Sequence, residues 1–442
     1  MRLIEALATT ESLARIFSDE SALQAMLDFE AALARAEARC GVIPQPASDA
    51  ISKAARSDRF DAAQIAAQGQ RAGTLAIPLV KELTARVRDI DPGSAGFVHW
   101  GATSQDVTDT AIALLLSRGH EVLSVDHSRT LSALRRLSDE HAGTVMLGRT
   151  LLQAAPPITF GLKAAGWYNA LSRSWKRLDV AFQHAATVQL GGASGTLAAL
   201  GEHGPAVMRA LADELKLQCP EAPWHAHRER LAQVVCCCGV YAASLGKMAR
   251  DIALLMENEV AEAFEPVGAG RGGSSTMPNK RNPTACSLAL ASASRIPGLV
   301  AGFLVGMVQE HERGAGGIQA EWATIVEVVG ATGLALDSMA EVAGGLEIDA
   351  GRMRQNISTT NGTVFAERAM MMLAGSMGRE AAHKLIEDAA RRAAEKRCRL
   401  AEILAEMPEI GALLTTEQIQ SMESPETYLG SAEIFRRQLL QS

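Results

Sequence analysis

The 442-residue chain lacks the features of several common functional classes. Aromatic residues make up only 4% of it, although strands favour aromatic and β-branched side chains, so we expect a mostly helical protein. It has no dense run of lysine and arginine and its formal net charge is −7, which argues against a nucleic-acid partner. Its glycine-rich segment is not followed by the Gly-Lys-Ser/Thr sequence of a phosphate-binding P-loop.

The chain also lacks the cysteine spacing of a disulfide framework or a zinc site. Its seven cysteines, an odd number, include no Cys-x-x-Cys pair, and we expect reduced thiols in a cytoplasmic protein. Cys236, Cys237 and Cys238 follow His225 and His227, but consecutive helical residues point about 100° apart and do not converge on one ion. The sequence therefore predicts no metal site.

Long hydrophobic runs are missing as well. Glu5 and Glu11 interrupt the N-terminal residues before an apolar run reaches the length of a signal peptide. The longest apolar stretch, residues 298–308, is shorter than the roughly 20 residues that a membrane-spanning helix needs. We therefore expect a soluble protein without a membrane partner.

Helical periodicity is the main pattern that is present. Apolar residues at a spacing of three to four predict an amphipathic helix over residues 13–36. Five longer helices are predicted, over residues 105–142, 157–187, 228–264, 284–313 and 321–346. The apolar stripe of the third spans roughly 45 Å at about 1.5 Å per residue, which is typical of a bundle helix.

Breaks in this periodicity predict the domain organisation. Glycines and Pro92 interrupt the pattern in residues 88–101, and the helical units after residue 346 are shorter and more charged. We predict an all-α fold of three domains. These are an N-terminal helical domain (1–102), a central long-helix bundle (103–346) and a small C-terminal helical domain (347–442). Long helices with wide apolar stripes also favour a homo-oligomer.

Residues 266–283, PVGAGRGGSSTMPNKRNP, form the most informative segment. Its glycines leave backbone N–H groups free to donate hydrogen bonds to a ligand's oxygens and let the segment close over that ligand. The alternative is a flexible linker between two helices, which needs only small polar residues.

Residues 273–283, GSSTMPNKRNP, resemble the GSSxMPxKxNP signature of the fumarase/aspartase superfamily. The resemblance implies an all-α, cofactor-independent enzyme that interconverts an alkene and its adduct, in a tetramer whose sites each draw on three subunits. It assigns proton transfer to Ser275 and stabilisation of an enolate-like intermediate to Lys280. Ser274, Met277 and Asn282 are implied to bind the substrate.

Residues 99–106, HWGATSQD, resemble the superfamily's first signature. Thr103 and Ser104 precede a predicted long helix, where free N–H groups and the positive end of the helix dipole favour a carboxylate. Simple N-capping is the structural alternative, although it needs only one of these residues. His99 is implied to bind substrate, whereas a lone histidine is more often structural.

Residues 148–153, GRTLLQ, resemble the superfamily's GRTHxQ segment and imply that Arg149 and Gln153 bind substrate. Leu151 replaces a histidine that helps many relatives to protonate the leaving group, and leucine cannot transfer a proton. A carboxylate can depart or attack without that help, so Leu151 indicates lactone chemistry.

Residues 309–322, QEHERGAGGIQAEW, complete a resemblance to the lactone-forming carboxymuconate cycloisomerases of this superfamily. The expected substrate is a polycarboxylate, so the acidic chain needs local cations. Arg313 is a candidate together with Arg149 and Lys280, whereas Arg281 has a structural ion pair as its alternative. Adenylosuccinate lyases instead carry a serine-rich SSxER pattern here, which weakens a nucleotide substrate.

Three alternatives stay open at this point. The first is a cycloisomerase for a muconate with a sulfonate in place of one carboxylate. The second is an eliminating lyase similar to adenylosuccinate lyase. The third is a non-catalytic structural member, as lens crystallins of this superfamily are.

Overall fold

The computed structural model describes residues 3–268, 272–273, 277 and 280–441. By their contacts the residues fall into two compact units. The first unit contains Met1–Ser128, Ser174–Gly246 and Leu288–Ser338. The second unit contains Arg129–Arg173, Lys247–Ser287 and Met339–Ser442. Each unit is made of discontinuous segments, and the three domains expected from the sequence stay a prediction.

Helices dominate the described part of the chain, which confirms the all-α prediction. The N-terminal helices are α1 (Glu11–Ile16), α2 (Asp19–Arg39), α3 (Gln45–Ala54), α4 (Ala62–Ala72) and α5 (Ala76–Ile90). There follow α6 (Ser104–Glu140), β1 (Val145–Thr150), β2 (Gln153–Thr159), α7 (Phe160–Ala185), α8 (Gly204–Leu215), α9 (Glu229–Leu255), β3 (Ala263–Phe264), α10 (Thr284–Gly306), α11 (Gly317–Gly345) and β4 (Glu347–Ile348). The C-terminal helices are α12 (Ala350–Ser358), α13 (Ala366–Met377), α14 (Arg379–Lys396), α15 (Leu400–Ala405), α16 (Pro408–Gly411), α17 (Thr416–Ser421) and α18 (Ala432–Leu440).

Helix α2 shows how local sequence sets these elements. The Ser18 side chain accepts a hydrogen bond from the Ser21 backbone N–H and caps the first turn. The apolar face predicted from the sequence is buried, since Leu23, Met26, Leu27, Phe29 and Leu33 are each at most 3% exposed. The spacing of three to four therefore places this face in the core of the first unit.

The five predicted long helices are all present as α6, α7, α9, α10 and α11. Helix α9 ends at Leu255, earlier than the predicted 264. Ala261 has a φ of 51°, which a continuous helix does not allow. The next residues form β3, which pairs antiparallel with β4 in the second unit. This pairing is non-local, so helical periodicity could not reveal it.

Residues 145–159 form a β-hairpin that the sequence did not predict. Strands β1 and β2 pair antiparallel, and Leu151 and Leu152 form the two-residue turn. Both leucines have positive φ, 51° and 65°, as a type I′ turn requires, although Asn-Gly is the usual sequence there. Their side chains are 96% and 79% exposed, so the hairpin presents an apolar tip.

Three helices are long and apolar enough, by length and composition, to cross a membrane: α9, α10 and α11. Residues 298–306 are the end of α10, which has 23 residues, so the expectation that this apolar stretch is too short to cross a membrane is wrong by length and composition. The apolar windows of α9 and α11 are 56% and 72% buried within the protein, whereas that of α10 is only 22% buried. Most residues in the apolar window of α10 are thus not fully buried within the described structure.

Candidate active site

The first signature segment forms a tightly bonded turn at the start of α6. The Asp106 carboxylate accepts hydrogen bonds from the Thr103 N–H (2.9 Å) and from the Gly191 and Gly192 N–H groups (3.0 Å each). Its Oδ1 also lies 2.6 Å from His225 Nε2. Asp106 is fully buried, so one carboxylate fixes three chain segments around the helix start.

Arg313 reaches this turn from the segment before α11. Its Nη1 donates to Thr103 Oγ1 (3.0 Å), and its Nη2 donates to the carbonyls of Gly192 (3.2 Å) and Ala193 (3.1 Å). The structure therefore brings together two predicted residues that are 210 positions apart. The Thr103 hydroxyl accepts from the guanidinium, which places a fixed positive charge at the positive end of α6 and favours an anionic ligand.

Beside this pair lies a cavity of about 630 Å³ within the first unit, which we call the α6 cavity. It is bounded by α4, the residues after α4, the first turn of α6 and the start of α11. Ser104 and Arg313 both line it, so the predicted residues Thr103, Ser104 and Arg313 are grouped at one place. Its further lining residues are Ala66, Gly69, Gln70, Ala72, Gly73, Thr74, Leu75, Ile77, Gln105, Thr108, Gly314, Ile318, Gln319 and Trp322.

A buried ion cluster supports this region, and sequence reasoning missed it. Arg228 forms a bidentate pair with Asp109 (both 2.8 Å) and contacts Glu321 at 2.6 Å. Burial raises the pKa of Glu321, and the contact with Arg228 opposes that shift. The only sequence signal was Asp109, a charged residue on the apolar face of α6. The cluster joins α6 to the start of α11 and so holds the α6 cavity in shape.

His99 lies in a left-handed backbone conformation, with a φ of 59°. Its Nδ1 is 2.7 Å from Oε1 of Glu30, whose side chain is fully buried. Burial lowers the pKa of His99, but the charge of Glu30 and the hydrogen bond to it raise the pKa further, so the net shift is upward. This favours a charged imidazole, and the predicted role of His99 in substrate binding stays a prediction.

The second unit holds Arg149 of the GRTLLQ segment. Its two terminal nitrogens donate to Glu262 at 2.9 and 2.7 Å, and Glu262 is fully buried. Asn356 Nδ2 also donates to Glu262 (2.8 Å). Arg149 therefore links β1 to the segment before β3. Any substrate contact would use the guanidinium N–H groups that do not donate to Glu262. Gln153 is exposed and pairs with Thr150 across the hairpin turn.

The glycine-rich segment is described only in part. Ser274 and Ser275, the predicted binding and catalytic serines, lie outside the described residues. Lys280 is exposed and its backbone N–H donates to the Met277 carbonyl (3.1 Å), while the Met277 side chain is 49% exposed. The Asn282 backbone N–H donates to the Gly272 carbonyl (2.9 Å), which closes the segment into a loop.

Arg281 and Glu265 anchor this loop in the second unit. Arg281 pairs with Glu347 (3.0 Å), donates to the Glu265 carbonyl (2.7 Å) and lies over the Phe264 ring at 4.8 Å. This is the structural ion pair that the sequence left as an alternative for Arg281. The Glu265 carboxylate accepts from two backbone N–H groups in the first turn of α10, at 3.1 and 2.8 Å.

Among the residues that the structure describes, no three His, Cys, Asp or Glu side chains are arranged to hold a metal ion. Seven cysteines are present as thiols.

Residues 5–298 match the family model described as lyase, and residues 362–438 match that of the adenylosuccinate lyase C-terminus. The chain belongs to this lyase family, the fumarase/aspartase superfamily. Its membership identifies it as an enzyme of lyase and cycloisomerase type.

The chain is also similar to individual members of this superfamily over nearly its whole length. It is 47% identical to a 3-carboxy-cis,cis-muconate cycloisomerase of Bradyrhizobium diazoefficiens, over 96% of this chain and 94% of that protein. It is 46% identical to the protein of that name from Pseudomonas aeruginosa, over 98% and 94%. The crystal structure of 3-carboxy-cis,cis-muconate lactonizing enzyme from Pseudomonas putida superposes with a TM-score of 0.94, at 40% identity, over 100% of this chain and 98% of that one.

Proposed function

We propose that this protein is a 3-carboxy-cis,cis-muconate cycloisomerase that converts its substrate to 4-carboxymuconolactone in the breakdown of aromatic compounds. The observation that carries the proposal is the similarity to such enzymes over nearly the whole chain, at 47% identity. The site agrees with it, because the α6 cavity combines one fixed cation with hydroxyl groups and apolar walls, which suit one carboxylate of a short substrate and the hydrocarbon that carries it.

The reaction is an isomerisation in which no atom is lost. One substrate carboxylate oxygen bonds to a carbon of a double bond, and the electron pair of that bond moves towards the neighbouring carboxylate as an enolate. A proton then adds to the carbon beside that carboxylate. The developing charge needs preorganised donors, and one such donor is worth roughly 3 kcal/mol in related oxyanion sites.

We assign this stabilisation to Lys280, with Asn282 and the loop amides. Two backbone hydrogen bonds support the assignment, since those from Lys280 to Met277 and from Asn282 to Gly272 fix the backbone at and beside the exposed Lys280. Ser275 would exchange the proton with carbon, and an isolated serine needs nearby positive charge to serve as a base. Ser274 and Met277 would contact the substrate beside it.

Arg313, Thr103 and Ser104 would hold a carboxylate that does not react. Arg313 supports this role because its guanidinium is oriented by three hydrogen bonds and therefore does not need to be ordered on binding. His99, Arg149 and Gln153 keep the roles predicted for them as contributors to substrate binding, with Arg149 acting while it is paired with Glu262.

Leu151 favours lactone chemistry over elimination of an amine or hydroxide. At the tip of the hairpin its side chain is 96% exposed, so it is available to line a site but cannot supply a proton. A carboxylate attacks and departs without a proton. Leucine in place of histidine at position 151 therefore reduces the rate of lactone formation little.

We further propose a cytoplasmic homotetramer whose sites combine signature segments from different subunits. Two observations support association: α10 is only 22% buried over its apolar window, and the hairpin tip exposes two leucines. Contact with other copies of the chain would bury the apolar residues that α10 exposes. We propose neither a membrane nor a nucleic acid as a partner. No cofactor is required by the reaction.

The experiment compares the purified protein on three substrates by ultraviolet absorbance: 3-carboxymuconate, the sulfonate analogue and adenylosuccinate. We expect loss of diene absorbance with 3-carboxymuconate, at the highest kcat/KM of the three. Ser275→Ala should abolish this turnover while native mass and substrate binding persist. Faster turnover of adenylosuccinate, or wild-type rates in Ser275→Ala, would refute the function or the assigned residue respectively.

A further inference from the structure

Glu30 lies on the buried face of α2, behind His99, and the reaction described above gives it no role. Its side chain is fully buried, and its Oε1 lies 2.7 Å from His99 Nδ1. The imidazole is the one hydrogen-bond partner of this carboxyl group among the described residues, since Oε2 is buried without a partner. A buried carboxylate is stable only when it is paired, so Glu30 depends on a proton at Nδ1 of His99.

The other imidazole nitrogen of His99 stays available. Nε2 has no partner among the described residues and is not one of their buried unpaired atoms, so a ligand can reach it. The side chain as a whole is 17% exposed. The backbone of His99 is left-handed, with a φ of 59°, a conformation that a residue other than glycine keeps where its surroundings hold it. The imidazole is thus fixed with one nitrogen inside and one accessible.

Neighbouring carboxyl groups set the charge of this pair. Glu37 lies two turns after Glu30 on the same side of α2, and burial together with the charge of Glu30 raises its pKa to about 9. Glu37 is therefore neutral at pH 7. Burial lowers the pKa of His99, but the charge of Glu30, its hydrogen bond and the charge of Asp106 raise it further. Asp106, at the start of α6, is itself bonded to His225 and to three backbone N–H groups.

We propose that Glu30 is a positioning residue, which keeps His99 as a cation whose Nε2–H binds an unreactive carboxylate of the substrate. The inference rests on the proposed function and assigns the charge state of that site. An imidazolium donates from both nitrogens, so one can bind Glu30 and the other an anion. A neutral imidazole that donates to Glu30 from Nδ1 has a lone pair at Nε2 and repels a carboxylate there.

The test is Glu30→Gln, which keeps the size of the side chain and removes its charge. Burial then outweighs the remaining effects, so the pKa of His99 should fall. Between the two pKa values of His99 only wild type carries the cation, and there KM for 3-carboxymuconate should be roughly 10- to 100-fold higher in the variant. Below both values and above both, the ratio should approach one. We expect kcat to change less than about twofold, because this carboxylate is bound equally in ground and transition states.

Two controls distinguish positioning from a structural role. Glu37→Gln replaces a carboxyl group that is already neutral on the same side of α2, so it should keep the wild-type pH profile of KM. Glu30→Gln in a His99→Gln background should change KM less than about twofold, because Glu30 acts through His99. Disturbed packing would instead raise KM in both backgrounds. Glu30→Asp keeps the charge on a shorter side chain and should give a pH profile between those of wild type and Glu30→Gln.

A binding measurement separates this inference from the proposed function. The Kd of propane-1,2,3-tricarboxylate is measured by calorimetry from pH 5.5 to 8.5 for wild type, Glu30→Gln and Glu30→Asp. We expect Kd to follow the pH profile of KM in each protein. Turnover of 3-carboxymuconate with identical pH profiles in wild type and both variants overturns the role of Glu30. A wild type that binds the tricarboxylate with a pH profile that Glu30→Gln shifts, but does not turn over 3-carboxymuconate, overturns the proposed function and leaves the role of Glu30 supported.

Discussion

Arg313 links two segments of the first unit, and the proposed function also has it bind a substrate carboxylate. Its fork of donors binds a hydroxyl and two backbone carbonyls, which come from the α6 turn and from the 192–193 segment. Lysine provides the same charge as a single point and cannot make these bonds in parallel. The identity of the residue, beyond its charge, therefore matters for the site.

We predict that Arg313→Lys lowers kcat/KM roughly 30- to 150-fold, because losing the oriented fork removes about 2–3 kcal/mol of charge-assisted hydrogen bonding. Steady-state kinetics and a melting curve check this. The control is Arg39→Lys, which changes an exposed pair with Asp213 (3.0 Å) in the same unit and should leave both measurements nearly unaffected. Equal kinetics in the two variants would show that Arg313 acts only as a charge.

Glu37 makes stability depend on pH. Its side chain is 1% exposed, neither carboxylate oxygen has a partner in the described part of the chain, and burial followed by the charge of Glu30 raises its pKa from 4.5 to about 9. Between these values the folded state holds one proton more than the unfolded state. The free energy of unfolding therefore falls as pH rises from about 4.5 to 9, by roughly 1.4 kcal/mol per pH unit from this group.

Glu37→Gln should remove this dependence, since glutamine is neutral at every pH. We predict that the melting temperature of the variant minus that of wild type increases as pH rises from 5.5 to 8. Urea unfolding at several pH values measures the same effect as a difference in slope. Glu30 and its partner His99 are the same residues in both proteins, so the comparison isolates Glu37. Parallel stability curves would contradict a protonated Glu37.

Some of these residues could be predicted from sequence and others could not. Thr103 and Ser104 were predicted because a helix start is readable from local pattern, and Arg313 because its segment resembles a signature. The Arg149–Glu262 pair could not be predicted, since the partners are 113 residues apart and only the fold brings them together. The same reason applies to the contact of His99 with Glu30, 69 residues away.

At the scale of elements, long helices were predicted well and the hairpin was not. Helices of 23 to 37 residues show many turns of the same periodicity, so chance rarely imitates them. The hairpin contains two prolines in β2 and two leucines at its turn, and neither pattern is typical of strands or of type I′ turns. Tertiary context overrides local preference there.

The hairpin turn gives a prediction about strain and function. Asparagine adopts positive φ more readily than leucine, so Leu151→Asn should stabilise the isolated turn by about 0.5–1 kcal/mol. If the tip lines a site as proposed, the polar substitution should also reduce kcat/KM. Lys216→Asn is the matched control, because Lys216 has a φ of 55° at the end of α8. It should gain stability with unchanged activity, and unchanged activity in Leu151→Asn would remove the hairpin tip from the site.

For the whole molecule, the exposed face of α10 predicts self-association. Val305 is 78% exposed on this helix, and a charge there would have to be buried against another copy. Val305→Glu should reduce the native mass towards that of one chain, as measured by light scattering. Met371→Glu, at a 62% exposed position on α13, is the control and should keep the wild-type mass. A monomeric wild type would contradict the proposed assembly.

Ring closure without loss of any part of the substrate is the central step of the proposed reaction. Proton NMR of 3-carboxy-cis,cis-muconate incubated with the enzyme in D₂O measures this directly. We predict one molecule of 4-carboxymuconolactone per molecule of diene consumed, with one deuterium on the carbon beside a carboxylate. Consumption of the diene without a lactone, or a lactone without deuterium, would contradict the mechanism.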